Sequence, residues 1–268
     1  MPNRLPKALV TLAAWLGATV AVGAYLRPDA RGMAEIVGLL STGIAWNVVV
    51  AIAVLAIATR AFGWRDLGFC PPAGRSLARF VWFPLLTLLP FYAIAFAVGL
   101  PPTQAILFLS INTALVALSE EWMFRGILFQ ALRMRLRLWP ALVLTSVLFG
   151  AVHVLNAFSL GDIRLAAAQA VAAMMTGFLL VALMLRTGSI WTAVTYHLFW
   201  NLGILLLAYE TAQYPLPEGP VQLGSYLVPL LVVLPNFLYS LVLLRKLPNH
   251  PPSGPDGRSP ATPAPFPR

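Results

Sequence analysis

Three ionisable side chains stand in an apolar stretch that runs over residues 105–132: Glu120, Glu121 and Arg125. Before them the chain reads Ile106-Leu107-Phe108-Leu109 and Ala114-Leu115-Val116-Ala117-Leu118; after them it reads Gly126-Ile127-Leu128-Phe129. A charge at the middle of a bilayer costs about 2.5–3.5 kcal/mol on insertion scales, so such groups persist where they are compensated or used. Glu121 and Arg125 are four residues apart and share one helix face, which allows an ion pair. Glu120 lies about 100° round the helix from Glu121 and is left without that partner. Two later apolar stretches supply polar groups of complementary kind. His153 follows Phe149-Gly150-Ala151-Val152, and His197 and Asn201, four apart, project from one face of the second. The remaining histidine, His250, lies in a polar tail and reads as solvated.

Taken singly, each of these residues has a structural use. A buried histidine is commonly a satisfied core residue, Glu121–Arg125 can be an interhelical staple, and a buried asparagine a helix–helix hydrogen bond. Phe149 reads as packing, and the tryptophans near span ends as interface anchors. Their coincidence in three spans points instead to a shared pocket. No serine or cysteine in a span has an obvious local base, and the single cysteine, Cys70, lies in a loop, so a protein nucleophile is disfavoured. A carboxylate and an imidazole holding one water form a general-base pair. Low dielectric disfavours both charged forms, which gives the pair reason to share a proton through that water. A second imidazole, with an amide one turn on, can donate hydrogen bonds to a developing oxyanion. Those parts suit hydrolysis of an acyl bond, most simply a peptide. Of the two glutamates, the one held by a guanidinium is the weaker base; Glu120, with His153 across the pocket, is therefore expected to activate the water.

The elements that must hold these residues are membrane helices. The chain has 268 residues, 59% hydrophobic and 10% charged, with a mean hydropathy of +0.81. Repeated apolar stretches of near 20 residues predict an all-α, polytopic membrane helical bundle. The spans expected are 8–26, 36–59, 80–100 (closed by Pro101-Pro102), the glutamate-bearing fourth, 140–158, 165–185, 189–208 and 225–244, eight in all. The first follows Arg4 and Lys7 and resembles a signal peptide, but Leu26-Arg27-Pro28 offers no small-residue cleavage site, so it is read as an uncleaved helix. Residues 60–79, with four arginines, Pro71-Pro72 and Gly74, read as a loop. Ala166, Ala170, Ala173 and Gly177 form a small-residue face suited to close helix packing. Residues 1–247 read as one transmembrane domain and 248–268, rich in proline, as a disordered tail.

The net charge of +9 is explained by topology rather than by nucleic acid. With eight spans and the N-terminus inside, inner segments carry 14 of the 18 Lys and Arg, outer segments three (Arg27, Arg31, Arg164), and Arg125 is the last. That bias predicts N-in, C-in, with residues 60–79 and 133–137 cytoplasmic and 209–224 outside.

Glu120-Glu121-x-x-x-Arg125, Phe149-x-x-x-His153 and His197-x-x-x-Asn201, in that order and at these intervals, resemble the three motifs of the CAAX prenyl endopeptidase type II and bacteriocin-processing (CPBP) family of intramembrane proteases. The resemblance covers about residues 103–207 and implies an eight-helix fold, with that segment as the protease core. It implies that Glu120 and His153 activate water, that His197 and Asn201 stabilise the oxyanion, and that Glu121 and Arg125 are the structural pair of the first motif. The expected function is thus an intramembrane endopeptidase without metal or cofactor, acting on a membrane-associated protein or peptide in the plasma membrane of a bacterium. The lipid bilayer is its other partner. A zinc-dependent metalloprotease would use Glu120, His153 and His197, but the chain lacks an H-E-x-x-H helix. A proton-coupled transporter would also place Glu and His in the membrane, but no inverted repeat of the motif spans is found. A non-catalytic immunity or scaffold protein keeping the fold is the remaining alternative.

Overall fold

The structure is a computed structural model that describes residues 4–26, 32–72, 74–213 and 223–249. Among the described residues every regular element is a helix. In chain order these are α1 (Arg4–Leu26), α2 (Gly32–Thr42), α3 (Trp46–Phe62), α4 (Gly74–Val98) and α5 (Thr103–Glu121), which runs through a π-helical segment (Trp122–Leu128) into α6 (Phe129–Arg133). Then follow α7 (Leu138–His153), a single 3₁₀ turn (Val154–Asn156), α8 (Ala157–Leu160), α9 (Ile163–Thr187), α10 (Ile190–Gln213) and α11 (Leu223–Leu244). Seven of the helical units are long and apolar enough to cross a bilayer; the bent pair α2–α3, taken as one span, brings the number to eight. The molecule is an all-α polytopic membrane bundle, as the hydropathy pattern predicts. Most of the expected tail, with His250, and most of the loop expected at 209–224 lie outside the described residues.

The second span differs from expectation. Instead of one helix over 36–59, the chain breaks at residues 43–45 and bends by 72° between α2 and α3. Backbone groups freed at membrane depth need partners that lipid cannot supply. Asn112, on α5 and buried, supplies them. Its amide nitrogen donates to the carbonyls of Leu40 (2.9 Å) and Gly43 (2.8 Å), and its Oδ1 accepts from the N–H of Ala45 (2.8 Å). The loop expected at 60–79 is also shorter than read, because α3 continues to Phe62 and α4 begins at Gly74. Within it Trp64 and Leu67 are buried, and the carbonyl of Gly68 accepts the N–H of Ile190 at 2.9 Å, so this segment is packed onto the start of α10.

The small-residue face of α9 does what its composition implies. Ala166, Ala170, Ala173 and Gly177 are buried, and α7 packs on them through Gly150. A Cβ at Gly150 would stand 2.5 Å from the carbonyl oxygen of Ala170 and 2.9 Å from Cβ of Met174; one at Gly177 would stand 3.1 Å from Ser146. The first of these contacts is with helix backbone, which cannot rotate away. Gly150→Ala is therefore expected to push α7 off α9, cost about 1–3 kcal/mol as overpacking does, and lower the thermal midpoint of the detergent-solubilised protein. An unchanged midpoint would show that α7 has room to slide.

The cation-rich segments meet at one end of the bundle. Arg4 pairs with Asp66 at 2.5 Å, and the Lys7 ammonium lies 5.0 Å from the Phe62 ring centroid. Arg186 donates to the carbonyl of Leu243, and the N–H of Leu138 to that of Asn249. Residues 4–7, 60–66, 137–138, 186 and 243–249 thus lie at one end. By the charge bias that end is expected to face the cytoplasm. A cysteine at position 135, in a Cys70→Ser background, should then resist an impermeant maleimide added outside intact cells and react in inverted vesicles. Labelling from outside would reverse the orientation.

Candidate active site

The site is assembled from α5 and its π-helical extension, α7, α9 and α10. The extension is the element that hydropathy does not predict. Its residues Met123, Phe124, Arg125, Gly126, Ile127 and Leu128 are all buried, because different neighbours pack on each side. Trp15 of α1 meets Phe124 edge to face at 5.7 Å and donates its indole N–H to Ser119 Oγ at 2.8 Å. The backbone of Leu67 lies against Gly126. The Phe149 ring of α7 lies 5.0 Å from that of Phe124. A wide i→i+5 turn adds a residue locally and is found often at functional sites. Here the expected ion pair is kept, and Arg125 within the segment is fully buried.

Arg125 and Glu121 are both fully buried, and Nη1 donates to Oε1 at 3.0 Å. The guanidinium also lies 4.1 Å from the Phe149 ring centroid, a cation–π contact, and its Nη2 reaches the carbonyl of Gly177 on α9 at 3.5 Å. Gly177 also lets α7 approach α9, since a Cβ there would stand 3.1 Å from Ser146. The ion pair therefore staples α5, α7 and α9.

The pair has a third member. Oε1 of Glu121 also lies 2.9 Å from Nδ1 of His197, a residue 5% exposed. The other ring nitrogen, Nε2, faces Oε2 of Glu120 at 3.8 Å. His197 is thus held between two adjacent carboxylates with different surroundings. The Glu121 side chain is sealed, whereas that of Glu120 keeps 19% of its surface exposed. Glu120 Oε2 itself is buried and bonds no protein group.

His153 closes α7 and is partly exposed. Its Nδ1 lies 2.7 Å from the carbonyl of Phe149. A carbonyl can only accept, so Nδ1 carries the proton; in the neutral ring Nε2 then presents a lone pair. Phe149 stands between the two imidazoles, with ring centroids 4.9 Å from His153 and 6.1 Å from His197. Asn201, one turn beyond His197, is half-buried and makes no side-chain hydrogen bond among the described residues.

All the residues expected at the site lie on the elements that converge here. Direct contacts join Glu121, Arg125, Phe149 and His197 and bring Glu120 beside His197. No ion pair joins Glu120 to His153 among the described residues, so the partner expected across the pocket does not touch it. Phe149, expected as packing, is the common neighbour of Arg125 and both histidines. Gly177, whose carbonyl Arg125 reaches, and Asn112, which holds the α2–α3 break, carry roles that the motifs do not announce. The signal for Asn112 is its type, an amide in an otherwise apolar run; nothing in the sequence marks the Gly177 carbonyl. No group of three or more His, Cys, Asp and Glu able to hold a metal ion occurs among the described residues.

A polytopic helical bundle with carboxylates and imidazoles gathered inside it is a membrane protein built around a buried polar centre. The family model described as Rce1-like, type II CAAX prenyl endopeptidase, matches residues 102–203, which include every residue of that centre. Over this segment the match supports the resemblance to the CPBP family of membrane proteases that the three motifs carry. No curated protein and no solved structure matches the chain.

Proposed function

We propose that this protein is an intramembrane endopeptidase that hydrolyses a peptide bond of a membrane-associated protein or peptide by Glu/His-activated water. The observation that carries the reading is the unequal environment of the two glutamates. Glu121 is fully buried, with its Oε1 held by both Arg125 and His197 and its Oε2 without a partner among the described residues. Glu120 keeps part of its surface open, pairs among the described residues with no cation other than the His197 ring at 3.8 Å, and has an unbonded Oε2 facing that ring. In this reading Glu120 takes a proton from a water molecule, and His153 Nε2, left free by the Nδ1 bond to Phe149, holds the same water from the other side. The water oxygen attacks the scissile carbonyl carbon. The carbonyl oxygen, now negative, accepts hydrogen bonds from His197 and Asn201; for His197 this needs a proton on Nε2, since Nδ1 is occupied by Glu121. Collapse of the adduct breaks the C–N bond, and the proton held by Glu120 passes to the leaving amine.

The protein works in the plasma membrane of a bacterium in this reading, with its cation-rich end in the cytoplasm. The test is a comparison of peptide termini in membrane and medium between cells carrying the wild-type protein and cells carrying Glu120→Gln. Termini that vanish with the variant, and reappear when purified wild type is added to isolated membranes, identify the substrate. Identical termini in both would leave the non-catalytic role standing. Purified active protein is expected to contain no stoichiometric transition metal by elemental mass spectrometry; zinc lost together with activity on chelation would replace the glutamate mechanism by a metalloprotease.

A further inference from the structure

A second concave site lies on the opposite face of α5. Leu118 and Trp122 are four residues apart and share a face, whereas Glu120 is two residues from each and points about 200° away. On the Leu118–Trp122 face a groove of about 350 Å³ opens between α3, α5, the segment after α3 and the start of α10, within the about 300–1,000 Å³ range of ligand sites. Its walls are aromatic. Phe69 meets Trp122 at 5.1 Å and Trp191 at 5.5 Å, both edge to face, and Trp64 completes the lining. Phe69 and Trp191 remain 37% and 44% exposed, so the groove is open on the outside of the bundle.

Its rim differs in kind from its walls. Arg65 lines the groove and is exposed, and it has no ion pair or hydrogen bond among the described residues. The neighbouring acid, Asp66, is already taken by Arg4. The indole N–H groups of Trp64 and Trp191 also bond no protein group among the described residues, whereas that of Trp122 is satisfied by Thr59 Oγ1 at 3.1 Å. An apolar slot of aromatic rings thus carries, at the cation-rich end of the bundle, a guanidinium without a partner among the described residues.

We propose that this groove binds an anionic phospholipid of the surrounding bilayer, its acyl chain lying along Leu118, Phe69 and Trp122 and its phosphate at Arg65. The bilayer supplies the chain. Any phospholipid offers the phosphate, but an anionic one has no ammonium of its own to compete with the lone arginine for it, which sets the preference. The site is separate from the glutamate centre and does not depend on what that centre does.

The test uses the full chain reconstituted in vesicles of equimolar phosphatidylglycerol and phosphatidylcholine, extracted in mild detergent and analysed by native mass spectrometry. The wild type is expected to retain one phosphatidylglycerol in preference to phosphatidylcholine by roughly fivefold, the bias one arginine gives at an anionic surface. Arg65→Gln should bring the ratio near unity without changing the thermal midpoint, and Trp191→Ala should reduce retention of both lipids. Wild type that retains neither lipid, or both equally, overturns the proposal. So does a preference that survives Arg65→Gln, which would place the lipid at another cationic segment.

Discussion

Glu120→Gln is expected to reduce turnover by about 10²–10⁴-fold or more, the range contributed by a positioned general base, while leaving folded yield and thermal midpoint unchanged. The substitution keeps the shape and polarity of a side chain that bonds no protein group through Oε2 and keeps 19% of its surface exposed. Little folding energy is therefore tied to its charge. Glu121→Gln should behave in the opposite way. Its carboxylate is sealed between Arg125 and His197, and losing the charge leaves a buried guanidinium without its counter-ion. The two variants differ by one position in sequence but should separate cleanly: activity lost with normal stability at 120, stability lost at 121. His153→Ala should match Glu120→Gln in activity, and the double variant should be little worse than either single, because groups that hold one water act as a unit. Near wild-type turnover in Glu120→Gln with loss in Glu121→Gln would reverse the assignment.

Arg125→Ala should cost more folding energy than any other single change at the site. Removing one partner of a buried pair costs about 3–5 kcal/mol, because the remaining charge is stranded in low dielectric. Three further losses follow from the same truncation: the contact with the Phe149 ring at 4.1 Å, the reach to the Gly177 carbonyl, and a side-chain volume with 0% exposure. The expected result is low yield of folded protein in detergent and a lowered thermal midpoint. Arg125→Met with Glu121→Gln, which removes both charges and keeps most of the volume, should recover part of that stability. Wild-type yield and stability in Arg125→Ala would mean that Glu121 finds water when the arginine is gone.

The groups that can do chemistry were legible because a bilayer makes them expensive. Glu120, Glu121, Arg125, His153, His197 and Asn201 stand out against apolar runs, and helical spacing is enough to pair Glu121 with Arg125 and to place His197 and Asn201 on one face. The span count follows from hydropathy for a similar reason, since a helix is the only way to satisfy an isolated stretch of backbone in lipid. Close packing of α9 was readable from its alanines and Gly177, because small side chains leave only one use for a helix face. These signals are local in sequence.

What required the folded chain is every relation between spans. Hydropathy treats residues 36–59 as one helix, because Gly43, Ile44 and Ala45 are as apolar as the rest. The break between α2 and α3 exists because Asn112, more than 60 residues on, bonds the freed backbone groups. The π-helical turn at Trp122–Leu128 is likewise settled by neighbours: Trp15, Leu67 and Phe149 press on it from three elements, and the short-range spacing of its own residues is compatible with an ordinary α-helix. The histidine beside Glu120 is His197, not His153, because α10 brings its ring between the two carboxylates while the Nδ1 of His153 is tied to its own helix through the Phe149 carbonyl. Sequence by itself determined which groups are costly in a membrane, and so which ones matter. Tertiary structure decided which of them touch, since hydrogen bonds and ion pairs between helices depend on rotations and crossings that no single span encodes.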